Sequence, residues 1–378
     1  MKWDNESQVM TLRDRVQELL APADLIVDGN RPWDIRVHDE RLFARVLAEG
    51  TLGVGESYMD GWWDCEQLDE CIARVLRTDF RDAVTPWKDV LRLLRARLSN
   101  LQRPGRAFRI GRYHYDVGDD LFSCMLDRRM IYSCAYWKDA ATLDEAQEAK
   151  LDLVCRKLGL EPGMRVLDIG CGWGGAAQFA AERYGVSVLG VTVSEHQAAH
   201  ARERCRGLEV QILLQDYRQL EGTFDRVLSL GMFEHVGGKN YGAFMRVVRR
   251  VLADDGLFLL HTIGSTQTMA RTDPWTERYI FPNSVLPSVA QIGRAIEHRF
   301  VLEDLHSFGQ DYDTTLLHWH RNVERHWPEL AERYDERFRR MWRFFLLSSA
   351  AGFRARKNQL WQIVLSPHGV PGGYRAPR

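Results

Sequence analysis

The sequence is poor in the features that mark a secreted, disulfide-stapled or membrane-spanning chain. Only seven of its 378 residues are cysteine, at 65, 71, 124, 134, 155, 171 and 205. The number is odd and no two are spaced Cys-x-x-Cys. That excludes a disulfide framework and a structural zinc site, leaves no metal expected, and fits a reducing compartment. No uncharged apolar run approaches the roughly 20 residues that cross a bilayer, so no transmembrane helix is expected. The opening residues, Met1 to Asp14, are polar and lack the apolar core of a secretory leader, so a cytoplasmic location is the expectation. Excess charge of either sign is missing too: the formal net charge is −1. Such a chain has no overall attraction to polyanions, and no nucleic-acid partner is expected. Internal repeats and low-complexity segments are absent. The length allows a large core plus a smaller domain.

What is present is concentrated between residues 164 and 217. Met164 to Ile169 is a short apolar run and reads as a buried strand. It carries Asp168 near its end. Gly170, Gly172, Gly174 and Gly175 follow, then a helical stretch from Ala176 to Tyr184. Glycines there let the backbone turn sharply and lie against a ligand, and the new helix points free amides toward it. Three readings compete. One is a tight strand-to-helix turn with no ligand. The second is a dinucleotide fold, which wants Gly-x-Gly-x-x-Gly and an acidic end to the next strand. Here the glycines alternate, and the next strand, Ser187 to Val193, ends in Thr192-Val193-Ser194. The third is S-adenosylmethionine (SAM), because Asp-x-Gly-x-Gly-x-Gly resembles the first motif of the Rossmann-like methyltransferases. Gln215-Asp216-Tyr217 follows a third apolar strand, Val210 to Leu214. A carboxylate there suits the exocyclic amine of an adenine, and an aromatic ring suits the base. Three features in order favour SAM over NAD.

From about 150 to 263 the pattern alternates. Strands are expected at Arg165–Ile169, Val186–Val191, Val210–Leu214, Phe224–Ser229 and Gly256–Thr262, and helices at Gly175–Tyr184, Ser194–Cys205 and Tyr241–Leu252. Such alternation predicts an α/β fold, a Rossmann-like SAM methyltransferase sheet with helices on both faces. Ligands of such sheets sit beyond the carboxyl ends of the strands, at the switch point. The tail from 287 onward reads as mostly helical, and its Phe344 to Leu347 run as core.

Residues 1–86 are expected to form a small, aromatic-rich N-terminal domain, to which the resemblance described below gives a lipid-binding role. It has helical patterns at Leu42 to Ala48 and Leu68 to Leu76, with the aromatic-rich Gly53 to Trp63 between them. A basic helix and linker, 87–112, comes next, and 113–378 is the expected SAM-dependent catalytic domain. In the basic stretch Asp89 alone opposes Lys88, Arg92, Arg95, Arg97, Arg103, Arg106, Arg109 and Arg112. It reads either as a solvated helix or as a dock for an anionic membrane, where each cation contributes about 1 kcal/mol.

Chemistry is expected where strands end. The fourth strand runs into Gly231-Met232-Phe233-Glu234-His235-Val236 and the fifth into His261-Thr262-Ile263-Gly264. Two polar-aromatic clusters flank them, Tyr132-Ser133-Cys134-Ala135-Tyr136-Trp137 and Phe308-Gly309-Gln310-Asp311-Tyr312-Asp313-Thr314-Thr315. Taken singly, Glu234 reads as a helix cap, His261 as a satisfied core histidine, Cys134 as a small buried residue and Tyr312 as a packed ring. Together on strand ends they form a site hypothesis.

These segments, with Gly53-Val54-Gly55-Glu56-Ser57-Tyr58-Met59-Asp60-Gly61-Trp62-Trp63 and the glycine motif, resemble the bacterial cyclopropane-fatty-acyl-phospholipid synthases over almost the whole chain. The resemblance implies transfer of the SAM methyl to a cis double bond of an acyl chain within a membrane phospholipid. A carbocation develops, the transferred methyl loses a proton, and a cyclopropane ring closes. It implies a bound bicarbonate as base, held by Cys134, Glu234, His261, Ile263 and Tyr312, with Cys134 and Ile263 acting through their backbones. It carries SAM contacts onto Tyr132, Ser133, Asp168, Gly170, Gly172, Gly174, Thr192, Gln197, Asp216 and Tyr217. Gln197 would replace the acidic end that the second strand lacks. A homodimer bound peripherally to the inner face of the cell membrane is also implied. Two other readings are a methyltransferase that stops at methylation and a SAM- or lipid-binding module without turnover.

Overall fold

The computed structural model describes residues 10–78 and 118–378. The basic stretch 87–112, and with it the expected boundaries at 86 and 112, lies outside the described residues.

The N-terminal part folds into α1 (Leu12–Leu20), α2 (Arg41–Glu49), α3 (Thr51–Met59) and α4 (Leu68–Arg77), with a small antiparallel pair, β1 (Arg36–Val37) and β2 (Trp63–Asp64). The Thr11 hydroxyl accepts from the Asp14 amide while the Asp14 carboxylate accepts from the Thr11 amide, so α1 starts on a capping box. After the undescribed segment come α5 (Asp119–Met125) and α6 (Leu143–Leu158). The latter opens on a second such box, Thr142 with Glu145, and closes at Gly159 with φ of 56°.

The α/β part follows: β3 (Arg165–Ile169), α7 (Gly175–Tyr184), β4 (Ser187–Thr192), α8 (Glu195–Arg204), β5 (Val210–Leu214), β6 (Phe224–Leu230), α9 (Tyr241–Val251) and β7 (Leu252–Ser265). Then come α10 (Pro274–Tyr279), α11 (Val289–Ile296), β8 (Val301–Ser307), α12 (Gln310–Leu330), α13 (Glu336–Arg354) and β9 (Asn358–Ser366). The large sheet runs β5-β4-β3-β6-β7-β9-β8. The first five strands are parallel, and β9 lies antiparallel to both β7 and β8.

The expected α/β alternation from 165 to 263 is there: Arg165–Ile169, Gly175–Tyr184 and Val210–Leu214 have the expected bounds, and the ends of the other elements move by at most four residues. The second strand starts at Ser187, and Ser194 caps α8 instead of opening it. The fifth strand is longer than expected, beginning at Leu252. The tail departs further. It is not simply helical, because β8 and β9 add an antiparallel edge to the sheet. Parallel strands buried on both faces read as continuous apolar runs. Strand β8 instead has only half-buried and exposed residues and carries Glu303, Asp304 and His306, so it has no such signature.

Side chains of β3 alternate between two cores. Leu167 and Ile169 face a cluster with Phe244, Val248 and Phe258, while Val166 faces one with Leu151, Val154 and Ala180. A further cluster joins the N-terminal helices to the C-terminal ones. Tyr58, Met59, Trp63 and Leu68 share it with Trp275, Trp342 and Phe344 to Leu347. The Phe344 to Leu347 run is therefore core, as its sequence suggested.

One docking point is steric and electrostatic together. A Cβ on Gly55 would come 2.3 Å from Cδ1 of Trp275. Beside it, the buried Glu56 carboxylate accepts from Tyr279 at 2.8 Å, from Arg278 at 2.9 Å and from Arg45. Gly55→Ala should thus push α3 off α10 and cost about 1–3 kcal/mol. A urea unfolding midpoint equal to that of the unsubstituted protein would contradict this.

Candidate active site

The sheet reverses strand order between β3 and β6, and a cavity of about 190 Å³ opens beyond the strand ends there. Its walls come from the 130–133 segment, the turn after β3, the ends of β4 and β5, and the turn after β6. Tyr132, Ser133, Asp168, Gly170, Gly172, Thr192, Gln197, Asp216 and Tyr217 all line it.

The glycines divide the work. Gly170 has φ of 88°, and a Cβ there would meet Met232 at 2.7 Å, so the turns after β3 and β6 approach through it. The amides of Gly170 and Cys171 are not free for a ligand, because both donate to the Val191 carbonyl. Gly172 has φ of 54°, with no atom within 4 Å of a would-be Cβ, and it opens onto the cavity. Gly174 does not line the cavity. Its Cβ would strike Ala201 at 2.9 Å, so it lets α7 pack against α8.

Polar groups on the walls are braced. The Thr192 hydroxyl donates to Oε1 of Gln197 at 3.1 Å, and Ser194 caps the Gln197 amide. Asp216 caps the turn that carries Tyr217, accepting from the Arg218 amide at 2.9 Å. The Tyr217 ring packs on Phe244, with the Arg218 guanidinium 5.2 Å from its centre. Burial pushes the Asp168 carboxyl up to about 7, and the charge of Lys150 opposes that rise. Oδ2 of Asp168 has no hydrogen-bond partner among the described residues.

The other five expected residues, Cys134, Glu234, His261, Ile263 and Tyr312, are not on the cavity wall. They lie in the core beside it, on the 134–137 segment, β7, the turn after β6 and the start of α12. Two are joined directly: the Ile263 amide donates to Oε1 of Glu234 at 2.7 Å. Glu234 is buried, which pushes its carboxyl up to about 7, and its Oε2 has no hydrogen-bond partner among the described residues. His261 pairs with Gln362 across β7 and β9, with Nδ1 3.3 Å from the Gln362 amide nitrogen. Burial holds its imidazole well below the usual histidine range, hence neutral, and Nε2 has no hydrogen-bond partner among the described residues. The Phe308 ring lies 6.0 Å from that of His261. Burial drives the Cys134 thiol well up. The next amide, of Ala135, donates to Thr315, one turn beyond Tyr312 on α12. Aromatic faces surround these groups: Tyr132 and Tyr312 both pack on Trp319, and Tyr136 packs on Phe308.

Residues 102–363 match the family of mycolic acid cyclopropane synthetases. The chain belongs to that family. It is 56% identical over 362 residues to the cyclopropane-fatty-acyl-phospholipid synthase of Escherichia coli strain K12, covering 96% of this chain and 94% of that one. Among solved structures it is similar to the cyclopropane synthase MmaA2 from Mycobacterium tuberculosis, with TM-score 0.65 and 32% identity over 68% of this chain and 97% of that one. It is also similar to the mycolic acid cyclopropane synthase CmaA1 complexed with SAH and CTAB, with TM-score 0.64 and 34% identity over 68% of this chain and 97% of that one. The chain is thus an enzyme with the SAM methyltransferase fold.

Within this cyclopropane synthetase fold, several wall residues escaped the reading of the sequence. His235 lines the cavity while its neighbour Glu234 does not. Met232 and Trp173 line it as well. Behind the wall, Gln147 and Lys150 of α6 are completely buried. A signal for that pair existed: they share a helical face with Leu143, Ala146, Leu151 and Val154, so two polar residues interrupt an apolar stripe.

A raised carboxyl pKa has a definite consequence for stability. Glu234 normally titrates near 4.5 and here near 7, so the folded state binds the proton more tightly than the unfolded chain. Its contribution to stability is complete below about pH 4.5 and is lost as the pH rises through about 7. Glu234→Gln cannot ionise. It should be more stable than the unsubstituted protein at pH 8, by up to about 3 kcal/mol, and no more stable at pH 4.5. Urea unfolding at the two pH values checks this.

Proposed function

We propose that the chain transfers a methylene from SAM to the cis double bond of an unsaturated acyl chain in a membrane phospholipid, closing a cyclopropane ring. One observation carries the reading. A glycine-walled cavity at the switch point adjoins an aromatic-lined core that holds two buried ionisable groups, Glu234 and His261, each with a polar atom that has no partner among the described residues. A transferase that stopped at methylation would not need such a cradle.

The walls suit SAM. Asp216 and Tyr217 fit an adenine, Gln197 is fixed by Thr192 to meet a ribose hydroxyl, and Gly172 gives the backbone access to the amino-acid end. Bound there, SAM supplies an electrophilic methyl carbon. Around the acceptor chain, the rings of Tyr132, Tyr136, Phe308 and Tyr312 face a developing positive charge, and the buried surroundings exclude water.

Ring closure also requires a proton to leave the transferred carbon. The orphaned Oε2 of Glu234 and Nε2 of His261 fit a small polar guest, and bicarbonate satisfies both. Bicarbonate would supply a basic oxygen there. With the Gln362 amide facing Nδ1, the His261 proton sits on Nε2 and can be donated to an anion. Glu234, poised near pH 7, accepts a proton at Oε2 while Ile263 holds Oε1. The Ile263 amide is thus spent on Glu234 and reaches the guest only through it. Tyr312 and the Cys134 backbone complete the cradle. A homodimer resting on an anionic membrane, with residues 87–112 as its basic contact and 1–86 as its lipid-binding part, fits the substrate.

Purified protein supplied with trideuteromethyl SAM and unsaturated phospholipid vesicles should yield acyl chains that keep two of the three deuteriums. Retention of all three would mean methyl branching, and unchanged chains would mean a binding module. Glu234→Gln should slow ring formation by about 10²–10⁴-fold. Cys134→Ser should stay close to full activity if the cysteine acts through its backbone; a comparable loss there would sink that assignment.

A further inference from the structure

Helix α6 runs behind the cavity wall and holds the 131–133 segment at three points. Nε2 of Gln147 donates to the Ser133 carbonyl at 2.8 Å and to the Ile131 carbonyl at 3.3 Å. One turn on, Nζ of Lys150 lies 2.9 Å from Oγ of Ser133. The lysine is completely buried, whereas Ser133 lines the cavity.

The chemistry of this pair is one-sided. A lysine ammonium has three donors and no acceptor, so Oγ of Ser133 must accept from it. The serine's own O–H is then left to donate in another direction, and the open direction is the cavity. A neutral partner would leave Ser133 free to accept or donate. An ammonium makes it a donor, and brings a positive charge to within two bonds of the wall. SAM carries one anionic group, the carboxylate of its amino-acid end. We propose that Lys150 is a positioning residue that commits the Ser133 hydroxyl to that carboxylate. The proposal rests on the SAM-dependent reading above and names what selects one end of the cofactor.

The setting keeps the lysine charged. Burial pulls its ammonium down to about 8, and the carboxylates of Asp127 and Asp168 and the thiol of Cys134 act against that. His261, on β7, also feels its charge. Asp127 is itself held in place, accepting from the amides of Arg129 and Ile131. Burying an ammonium is costly unless it has partners, and Leu151, Val154 and Leu158 on the same helix show that an apolar residue would pack there.

The test uses two ligands and no phospholipid. S-adenosylhomocysteine (SAH) has the carboxylate, and 5′-methylthioadenosine has the same nucleoside without the amino-acid end. Calorimetric titration of Lys150→Met should show SAH binding weakened about 10–100-fold, the range for a lost charge-assisted hydrogen bond, with methylthioadenosine unaffected. Ser133→Ala should show the same selective loss, and Lys150→Met added to it should cost little more. Equal loss for both ligands, or losses that simply add, would mean that the lysine only supports the fold and would overturn the proposal. If Lys150→Met does not fold, Ser133→Ala decides alone: it must lose SAH selectively. A protein that binds SAH in this manner yet forms no cyclopropane would overturn the proposed reaction and leave Lys150 standing. A wild-type protein that binds no SAH would overturn both.

Discussion

Withdrawal of ionisable groups from water at the ends of the parallel strands is the constraint around which this molecule is organised. Asp168, Glu234, His261 and Lys150 are all buried within the space between β3, β6, β7 and α6. A buried charge must be paired or must change protonation state. The two carboxyls rise toward neutrality, the imidazole stays uncharged, and the one ammonium is flanked by Asp127 and Ser133. Each outcome follows from the same desolvation, with sign set by the group and size set by its neighbours. The carboxyls of Asp168 and Glu234 are thereby pushed up to about 7 and the His261 imidazole is held uncharged, all out of contact with solvent.

The rest of the structure serves to keep that space closed. Helix α12, packed against α13, covers it and carries Tyr312, Thr315 and Trp319 inward. The N-terminal helices do not stand apart from this layer. Tyr58, Trp63 and Leu68 pack into one cluster with Trp275, Trp342 and Phe344, and Glu56 ties α3 to α10 through Tyr279 and Arg278. The loop that bears α10 joins β7 to α11, so the N-terminal helices rest on a segment that leaves the end of the strand holding His261 and Ile263. Among the described residues this one cluster runs from Val16 to Leu360 and includes Trp173 of the cavity wall.

Much of this was legible before any coordinates. The Asp168 to Gly175 pattern and the apolar runs around it declare a strand, a turn and a helix. Nine of the ten expected SAM-contact residues line one cavity. The exception is instructive: Gly174 belongs to the same alternating glycines, yet its lack of a side chain serves contact with Ala201 rather than a ligand. Spacing cannot separate those two uses, because both demand a missing Cβ. The antiparallel strands β8 and β9 were not readable either. Strand β8 is an edge with acids and exposed apolar residues mixed along it, and strand β9 follows a long helix with no turn signal of the hairpin kind.

The sequence by itself determined the α/β class, the position of the cofactor-like cavity and the set of polar residues near strand ends, since periodicity and glycine placement are local properties of the chain. Tertiary structure alone decided which of those residues share a surface. Glu234 and His235 are neighbours in sequence, yet one is bonded to Ile263 in the core and the other lines the cavity. Lys150 meets Ser133 across 17 positions of chain. Partners of that kind depend on how elements pack, and packing is a property of the whole fold and of no segment within it.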